Sequence, residues 1–373
     1  MIYFDNAATG GFKPYAVYEN TLSVIKYLSA NPGRSGHRLS ITGAEIVFNA
    51  RKIISETFNN SLERVIFTKN CTESLNTAIF GSLKIGGHII TTVYEHNSVL
   101  RPLSFLQNKG LITLDIVDDS ILPLEKAIEE KICPSTYLVI CSGASNVTGK
   151  TLPIKKIGEV CKEKGILFMV DGAQLGGHKP IDMKDLHIDM LCLAGHKGLY
   201  GIMGSGVLLL ADTVNLTPLT FGGTGTESFN LNQPTCYPER LESGTLNLPA
   251  IASLLEGVKY VKENVKTIGR TLYSYTQALI ENIKDNEKIK LYSSPNEIGI
   301  VAFSVNGVPS NEVADTLNSE YDIAVRGGLH CAPLMHKALK TDKEGLVRVS
   351  LAVQNSTREL AFLVRALNKI CGN

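Results

Sequence analysis

The chain has 373 residues, long enough for two domains and a large buried core, and its 44% hydrophobic and 20% charged residues are typical of a globular protein. The formal net charge is +1, so no charge excess favours nucleic acid or membrane binding. No apolar run reaches the roughly 18 residues of a membrane span, and the first residues lack a signal-peptide pattern, so we expect a cytoplasmic protein.

The first two thirds of the chain predict an α/β unit. Residues 40–58 have the apolar spacing of an amphipathic helix, and seven short apolar runs then alternate with helical stretches. Because these runs are continuously hydrophobic, they indicate strands buried on both faces of a mainly parallel sheet, with ligands bound beyond the strands' carboxyl ends. The predicted strands are residues 65–68, 88–92, 112–117, 137–142, 167–171, 190–194 and 206–210.

After about residue 250 the pattern changes to a smaller α+β unit. It predicts helices over 251–264 and 268–283, a strand over 298–305, a helix from Ser310, a strand over 345–351 and a final helix from Ser356. We therefore predict a large cofactor-binding domain of residues 12–255. A small domain is expected to combine residues 1–11 with 256–373.

Lys197 is the candidate for a covalently held cofactor. It is one of three lysines that follow a histidine, but only Lys197 comes off an apolar strand into a glycine-rich turn, 26 positions after Asp171. A lysine that forms a Schiff base, with an aspartate that keeps a pyridine nitrogen protonated, is what a pyridoxal phosphate (PLP) site requires. The alternative is a solvated loop lysine.

Four further residues follow predicted strands or lie on one. Thr72 begins a helix, where free amides favour a phosphate, although it is also an ordinary cap residue. His96 could stack on a pyridine ring or be a structural histidine, and Asn146 could contact a ring oxygen or form a turn. Arg348 lies on a buried strand, where a substrate carboxylate or an internal salt bridge would satisfy its charge.

Cys331 is the candidate nucleophile among eight scattered cysteines. None of the eight has zinc-binding spacing, so we expect reduced thiols and no metal site. Cys331 follows Gly327, Gly328 and His330 in a loop that also holds Arg326. An accessible, electropositive setting favours the thiolate, and an ordinary loop thiol is the alternative.

Together these segments resemble the class V aminotransferase-like PLP enzymes of fold type I, and within them the cysteine desulfurases and selenocysteine lyases. The resemblance extends from Tyr3 to the final helix. The segment Arg326-Gly-Gly-Leu-His-Cys-Ala332 is similar to the reactive-cysteine loop of group II desulfurases. Its continuation to Lys337, with residues 221–225 and 242–247, resembles a less studied desulfurase-like branch more closely.

The resemblance implies a role for each matching residue. Lys197 would carry the cofactor and move the substrate Cα proton, Asp171 would pair with the pyridine nitrogen, and His96 would stack on the ring. The other implied contacts are Asn146 and Gln174 with the substrate or ring oxygen; Cys71, Thr72 and His196 with the phosphate; Thr245 with the phosphate of a neighbouring subunit; Asn6 and Arg34 at the substrate entrance; and His330 and Arg348 with the substrate.

The implied activity is PLP-dependent desulfuration of L-cysteine to L-alanine, with the sulfur transferred to Cys331 as a persulfide. A homodimer with shared active sites and a separate sulfur-acceptor protein would be the partners. Selenocysteine lyase, with L-selenocysteine as substrate, is the nearest alternative. Another class V lyase or transamination reaction, or a non-catalytic binding role, remains open at this point.

Two positions depart from the family pattern. Ala194 stands where a serine or threonine is common, which removes one charge-assisted hydrogen bond to phosphate, worth on the order of 1.5–3 kcal/mol. Leu329 stands where the group II loop has the first of two histidines, so only His330 precedes Cys331.

Overall fold

The computed structural model describes residues 1–372. Its helices are α1 (Tyr15–Tyr27), α2 (Arg38–Phe58), α3 (Cys71–Gly81), α4 (Asn97–Asn108), α5 (Leu124–Lys131), α6 (Ile154–Lys164), α7 (Leu248–Ile283), α8 (Ser310–Tyr321), α9 (Pro333–Leu339) and α10 (Thr357–Ile370). Its strands are β1 (Ile2–Tyr3), β2 (Val65–Thr68), β3 (Gly87–Thr92), β4 (Ile112–Val117), β5 (Thr136–Ser142), β6 (Leu167–Asp171), β7 (Met190–Ala194), β8 (Gly206–Leu210), β9 (Ile289–Leu291), β10 (Ile300–Val305), β11 (Ile323–Ala324) and β12 (Val347–Ser350).

A seven-stranded sheet organises the larger part of the chain. Its strand order is β2-β8-β7-β6-β5-β3-β4, and only β8 runs antiparallel to its neighbours. The central strands β5, β6 and β7 are buried almost throughout because apolar side chains on both faces pack against helices. The mainly parallel α/β sheet is therefore confirmed, and all seven predicted strands occur with ends shifted by at most one residue.

The C-terminal part contains a second, antiparallel sheet. Its order is β12-β10-β9; it packs with α7 and α8, and α10 packs against these two helices. The first strand of the chain joins this part, since Ile2 pairs with Ile323 in the parallel ladder β1-β11. The division into residues 12–255 and a small domain of 1–11 with 256–373 remains a prediction.

The prediction of two helices over 251–264 and 268–283 is wrong. One helix, α7, runs for 36 residues without interruption. The polar residues between the two predicted helices face outwards, while Val261 and Ile268, two turns apart, stay buried on one stripe. Within residues 1–372, no helix, α7 included, combines the length and hydropathy needed to cross a membrane.

Candidate active site

A cavity of about 240 Å³ opens at the carboxyl ends of the central strands. The last residues of β5, β6 and β7 line it, and the loop after β3 and the start of α3 form further walls. The cavity thus gathers side chains from distant parts of the sequence. Its polar lining comprises Asn70, Thr72, His96, Ser98, Ser142, Asn146, Asp171, Gln174, His196, Lys197, Arg326, His330 and Arg348.

Lys197 follows β7, and Asp171 is the last residue of the neighbouring strand β6. Both side chains line this cavity. Burial lowers the pKa of Lys197, and the nearby Asp171 opposes that shift. Among the described residues, Lys197 Nζ has no hydrogen-bond or salt-bridge partner. Asp171 Oδ1 accepts a hydrogen bond from the Cys71 thiol at 3.4 Å and from the Ala173 amide at 2.9 Å. A lysine of lowered pKa with an unused amine is suited to imine chemistry and proton transfer.

The start of α3 forms an anion-binding corner of the cavity. Asn70 caps the helix by accepting from the Glu73 amide at 2.9 Å. The amides of Cys71 and Thr72 donate to no protein group within residues 1–372, so they remain available to a ligand. The Thr72 hydroxyl lies 2.8 Å from the Ser98 hydroxyl. Cys71 directs its thiol at Asp171, so its contribution to this corner is its backbone amide.

His96 is held in a fixed orientation as the cap of α4. Its Nδ1 accepts from the Ser98 amide at 3.1 Å and lies 2.9 Å from the Ser98 hydroxyl. Burial lowers the pKa of His96, and Asp171 counteracts this. Because Nδ1 accepts from the Ser98 amide, the neutral ring carries its proton on Nε2. The result is a flat, neutral imidazole on the cavity wall.

His196 precedes Lys197 and is also neutral. Its Nδ1 lies 3.1 Å from the Thr9 hydroxyl. Burial and then the charges of Lys197 and Lys13 lower the pKa of His196 to about 4. Neutral His196 can therefore serve as a hydrogen-bond partner to an anion without adding a charge.

Arg348 is the charged residue most deeply buried in the cavity wall, with 1% exposure. It donates from Nη1 to the Asn146 carbonyl at 3.0 Å and pairs from Nη2 with Asp5 at 2.9 Å. Its Nε has no partner among the described residues. The internal salt bridge therefore exists, and it leaves one buried donor for a ligand.

The Cys331 loop lies beside the cavity and is anchored on two sides. Asn97 donates its amide to the Cys331 carbonyl at 2.8 Å, and Asn146 Nδ2 donates to the His330 carbonyl at 2.7 Å. His330 and Cys331 have φ angles of 51° and 58°, a left-handed conformation that side chains rarely adopt. The anchors hold this conformation in place. The Cys331 Sγ lies 4.0 Å from Arg326 Nη2.

The remaining predicted site residues occupy different places. Gln174 lines the cavity and donates from Nε2 to the Ala7 carbonyl at 3.0 Å. Asn6 donates from Nδ2 to the Ser350 carbonyl at 2.9 Å and does not line the cavity. The Arg34 guanidinium packs against Gly225 instead. Thr245 lines a separate cavity of about 610 Å³, which lacks the lysine, aspartate and histidines of the smaller one.

Two residues in or beside this site, Arg326 and His336, were not predicted from the sequence as site residues. Arg326 lines the cavity, although its loop position gave only a general electropositive setting for Cys331. His336, in α9, contacts His330 with 3.4 Å between Nε2 and Nδ1, and its own Nδ1 lies 2.9 Å from the Thr341 hydroxyl. Spacing of six residues across a loop-to-helix junction carries no periodic signal, so the pairing was not predictable.

These residues fit PLP. The unpartnered amine of Lys197 suits an aldehyde carbon, Asp171 offers a carboxylate on the same cavity, and α3 presents free amides to a phosphate. His96 adds a flat ring to the cavity wall, and Arg348 adds an Nε donor that has no protein partner. The chemistry of this donor set matches the group that the sequence suggested.

Comparison with known proteins agrees with this geometry. Residues 2–363 match the sequence model of the family described as aminotransferase class-V. The chain belongs to the class-V aminotransferase family. Class-V aminotransferases are PLP-dependent enzymes, so the chain is an enzyme of the kind that the lysine and aspartate pattern predicted.

Similar class-V proteins carry the name cysteine desulfurase. A probable cysteine desulfurase of Pyrococcus abyssi is 34% identical, with 99% of this chain and 94% of the relative covered. A cysteine desulfurase of Serratia proteamaculans is 30% identical over 99% and 93%. The apo structure of a cysteine desulfurase from Thermococcus onnurineus NA1 has a TM-score of 0.92 and 32% identity, covering 100% of this chain and 94% of that one.

Proposed function

We propose that this chain is a PLP-dependent cysteine desulfurase, which converts L-cysteine to L-alanine and transfers the sulfur to Cys331 as a persulfide. The observation that carries the proposal is the meeting of Lys197 and Asp171 in one cavity beside the anchored loop of Cys331. The similar proteins are named cysteine desulfurases, which supports cysteine as the substrate. Selenocysteine lyase, the sequence-level alternative, is not favoured.

Each end of the cavity would hold a different part of the cofactor. Lys197 would bind its aldehyde carbon, and Asp171 would face the pyridine nitrogen. The amides at the start of α3, with His196 and the Thr72 hydroxyl, would hold the phosphate, and His96 would cover the ring. When bound, PLP withdraws electrons from the substrate Cα, which makes that carbon acidic.

Lys197 moves the proton in this scheme. Because burial lowers its pKa, Nζ spends more time as the neutral amine and can accept the Cα proton. Arg348 would bind the substrate carboxylate through Nε, which has no protein partner, and so orient Cα towards Lys197. Asn146, which supports both Arg348 and the Cys331 loop, and Gln174 would contact the substrate or ring oxygen.

Cys331 receives the sulfur. Its thiolate attacks the substrate sulfur, so that a new S–S bond forms as the S–C bond breaks. The electron pair of the broken bond stays with carbon, which takes up a proton and leaves as alanine. Arg326 Nη2 lies 4.0 Å from the Cys331 Sγ, and neutral His330 lines the cavity in which the substrate would bind.

A homodimer with shared sites is part of the proposal. Within its own chain Thr245 lines the 610 Å³ cavity and not the one that contains Lys197. This supports a contact between Thr245 and the phosphate held by a neighbouring subunit. Asn6 and Arg34 would line the substrate entrance formed in that assembly. We propose further that a separate acceptor protein takes the outer sulfur from Cys331.

The test replaces the nucleophile. Cys331→Ala should reduce alanine formation from L-cysteine to background, because no thiolate remains to take the sulfur. Cys236→Ala removes another thiol, outside the cavity, and should leave the rate unchanged. Alanine is measured by chromatography after incubation of each PLP-loaded protein with cysteine. Full alanine formation by Cys331→Ala would exclude the persulfide route.

A further inference from the structure

A second arrangement of nucleophile, base and carboxylate lies at the opposite end of the central sheet. Cys133 precedes β5, His88 is near the start of β3, and Asp115 is on the edge strand β4. The Cys133 Sγ lies 3.5 Å from His88 Nδ1, and His88 Nε2 lies 3.5 Å from Asp115 Oδ2. A thiol, an imidazole and a carboxylate in this order are the parts of an activated cysteine.

The surroundings of Cys133 favour its thiolate. The Ser135 hydroxyl lies 3.2 Å from Sγ, and the Thr136 hydroxyl lies between Sγ, at 3.4 Å, and His88 Nδ1, at 2.8 Å. These hydroxyls lower the pKa of Cys133, with little opposition because the residue is exposed. The facing titratable groups are His88 from β3 and, through it, Asp115 from β4. Asp115 Oδ2, 3.5 Å from Nε2, favours a proton on that nitrogen, so Nδ1 is left as an acceptor, 3.5 Å from the thiol and 2.8 Å from the Thr136 hydroxyl.

This cluster is separate from the PLP cavity. His88 stands at the start of β3, whereas His96 of the cavity follows the end of the same strand. The strand between His88 and Thr92 alone spans roughly 13 Å at the usual rise per residue. Cys133 therefore does not exchange sulfur directly with a substrate in the cavity.

We propose that Cys133 is a nucleophilic modification site that undergoes exchange with low-molecular-weight disulfides. His88 Nδ1 takes the thiol proton, and the Cys133 thiolate attacks one sulfur of the disulfide. A new S–S bond to Cys133 forms as the original S–S bond breaks. The leaving thiolate departs with the electron pair and takes the proton from His88. Cys133 is thereby oxidised to a mixed disulfide with one half of the small molecule, and the other half is reduced to a free thiol.

The chain contains its own control. Cys236 is also exposed, but its Sγ lies 3.8 Å from Glu239 Oε2 and it has no histidine contact among the described residues. Partial burial and then the Glu239 carboxylate raise the pKa of Cys236. The two thiols thus share exposure and differ in the groups around them.

The experiment measures modification of each thiol by peptide mass spectrometry. The reduced full chain is treated with oxidised glutathione at a series of pH values. Near neutral pH, Cys133 should react about tenfold faster than Cys236, with the midpoint of its rate profile at lower pH. His88→Gln and Asp115→Asn should each slow the modification of Cys133 and leave the modification rate of Cys236 unchanged.

Two results would overturn the proposal. One is equal rates for Cys133 and Cys236 in the unaltered chain. The other is a fast Cys133 whose rate is unaffected by Asp115→Asn, a change at a partly exposed side chain that the fold should tolerate. Because the readout is the mass of a thiol remote from Lys197, it does not depend on desulfurase activity.

Discussion

Lys197 is one of three lysines that follow a histidine, and their environments separate them. Lys179 pairs with Glu297 at 2.7 Å, and Lys337 belongs to α9. Lys197 alone of the three lines the cavity. Sequence could select it because the strand before it and Asp171 are local features. Sequence could not reveal that Arg348 keeps one donor free, since that depends on the positions of Asp5 and Asn146 in the folded chain.

Replacing Lys197 should abolish both cofactor attachment and activity. Lys197→Ala removes the amine that binds PLP and moves the proton, so we expect a loss of at least about 10³-fold in alanine formation. The protein should also lose the absorbance of lysine-bound PLP after desalting. Lys179→Ala, at a matched His-Lys pair, should retain both properties. Equal loss in the two variants would contradict the assignment.

His336, in α9, supplies the Cys331 loop with a second histidine. Its ring stacks on His330 with 5.6 Å between centroids, and it is fully buried. Burial and the charge of Arg348 lower the pKa of His330 to about 3, so the pair is neutral. The pair therefore adds hydrogen-bonding groups to a loop in which the Leu329 side chain provides none.

His336→Leu should destabilise the protein and slow sulfur uptake by Cys331. It leaves His330 Nδ1 without its partner and the buried Thr341 hydroxyl with only a 3.5 Å contact to the residue 336 carbonyl, at a cost of about 1–3 kcal/mol. His336→Gln, which retains hydrogen-bonding atoms, should lose less. Urea unfolding measures the free energy of both variants. A Leu variant as stable as the original would show that these contacts contribute nothing.

At the scale of elements, long and fully buried segments were predictable and short or interrupted ones were not. The seven strands have continuous apolar sequences, so their hydrophobicity identifies them. β1 and β11 have two residues each and exist only because they pair with one another. In α7 a polar stretch resembles a break, but the helix continues because one buried stripe passes through it.

The junction of β3 and β5 contains a buried carboxyl that should make stability depend on pH. Glu95 is fully buried, accepts from the Thr92 hydroxyl at 2.6 Å and from the Ser142 amide at 2.9 Å, and burial raises its pKa to about 8. The folded state therefore binds the proton more tightly than the unfolded state. Its contribution to stability is present below about pH 4.5 and is lost as the pH rises towards 8.

Glu95→Gln removes the titration and nearly preserves the shape. We expect the free energy of unfolding of the variant, relative to the original protein, to rise between pH 5 and 8 by up to about 1.4 kcal/mol per pH unit. Chemical denaturation at several pH values measures this difference. Exposed Glu263→Gln is the control. Parallel pH profiles for the original protein and Glu95→Gln would contradict a neutral buried Glu95.

At the scale of the whole molecule, the site joins segments more than 340 residues apart in sequence. Asp5 pairs with Arg348, and Asn146 donates to the loop of Cys331. Sequence patterns indicate which strand ends carry polar residues, but the packing of the C-terminal part against the sheet decides which of them meet. The homodimer and the role of Thr245 depend on a second chain and remain proposals.

The most direct test of the account is the mass of Cys331 after the PLP-loaded protein is incubated with L-cysteine. Peptide mass spectrometry, with alkylation to trap labile sulfur, should find one added sulfur atom on Cys331, and none there in Lys197→Ala. Cys236 in the same sample should carry none. An unmodified Cys331 under conditions in which alanine accumulates would contradict the transfer of sulfur to this residue.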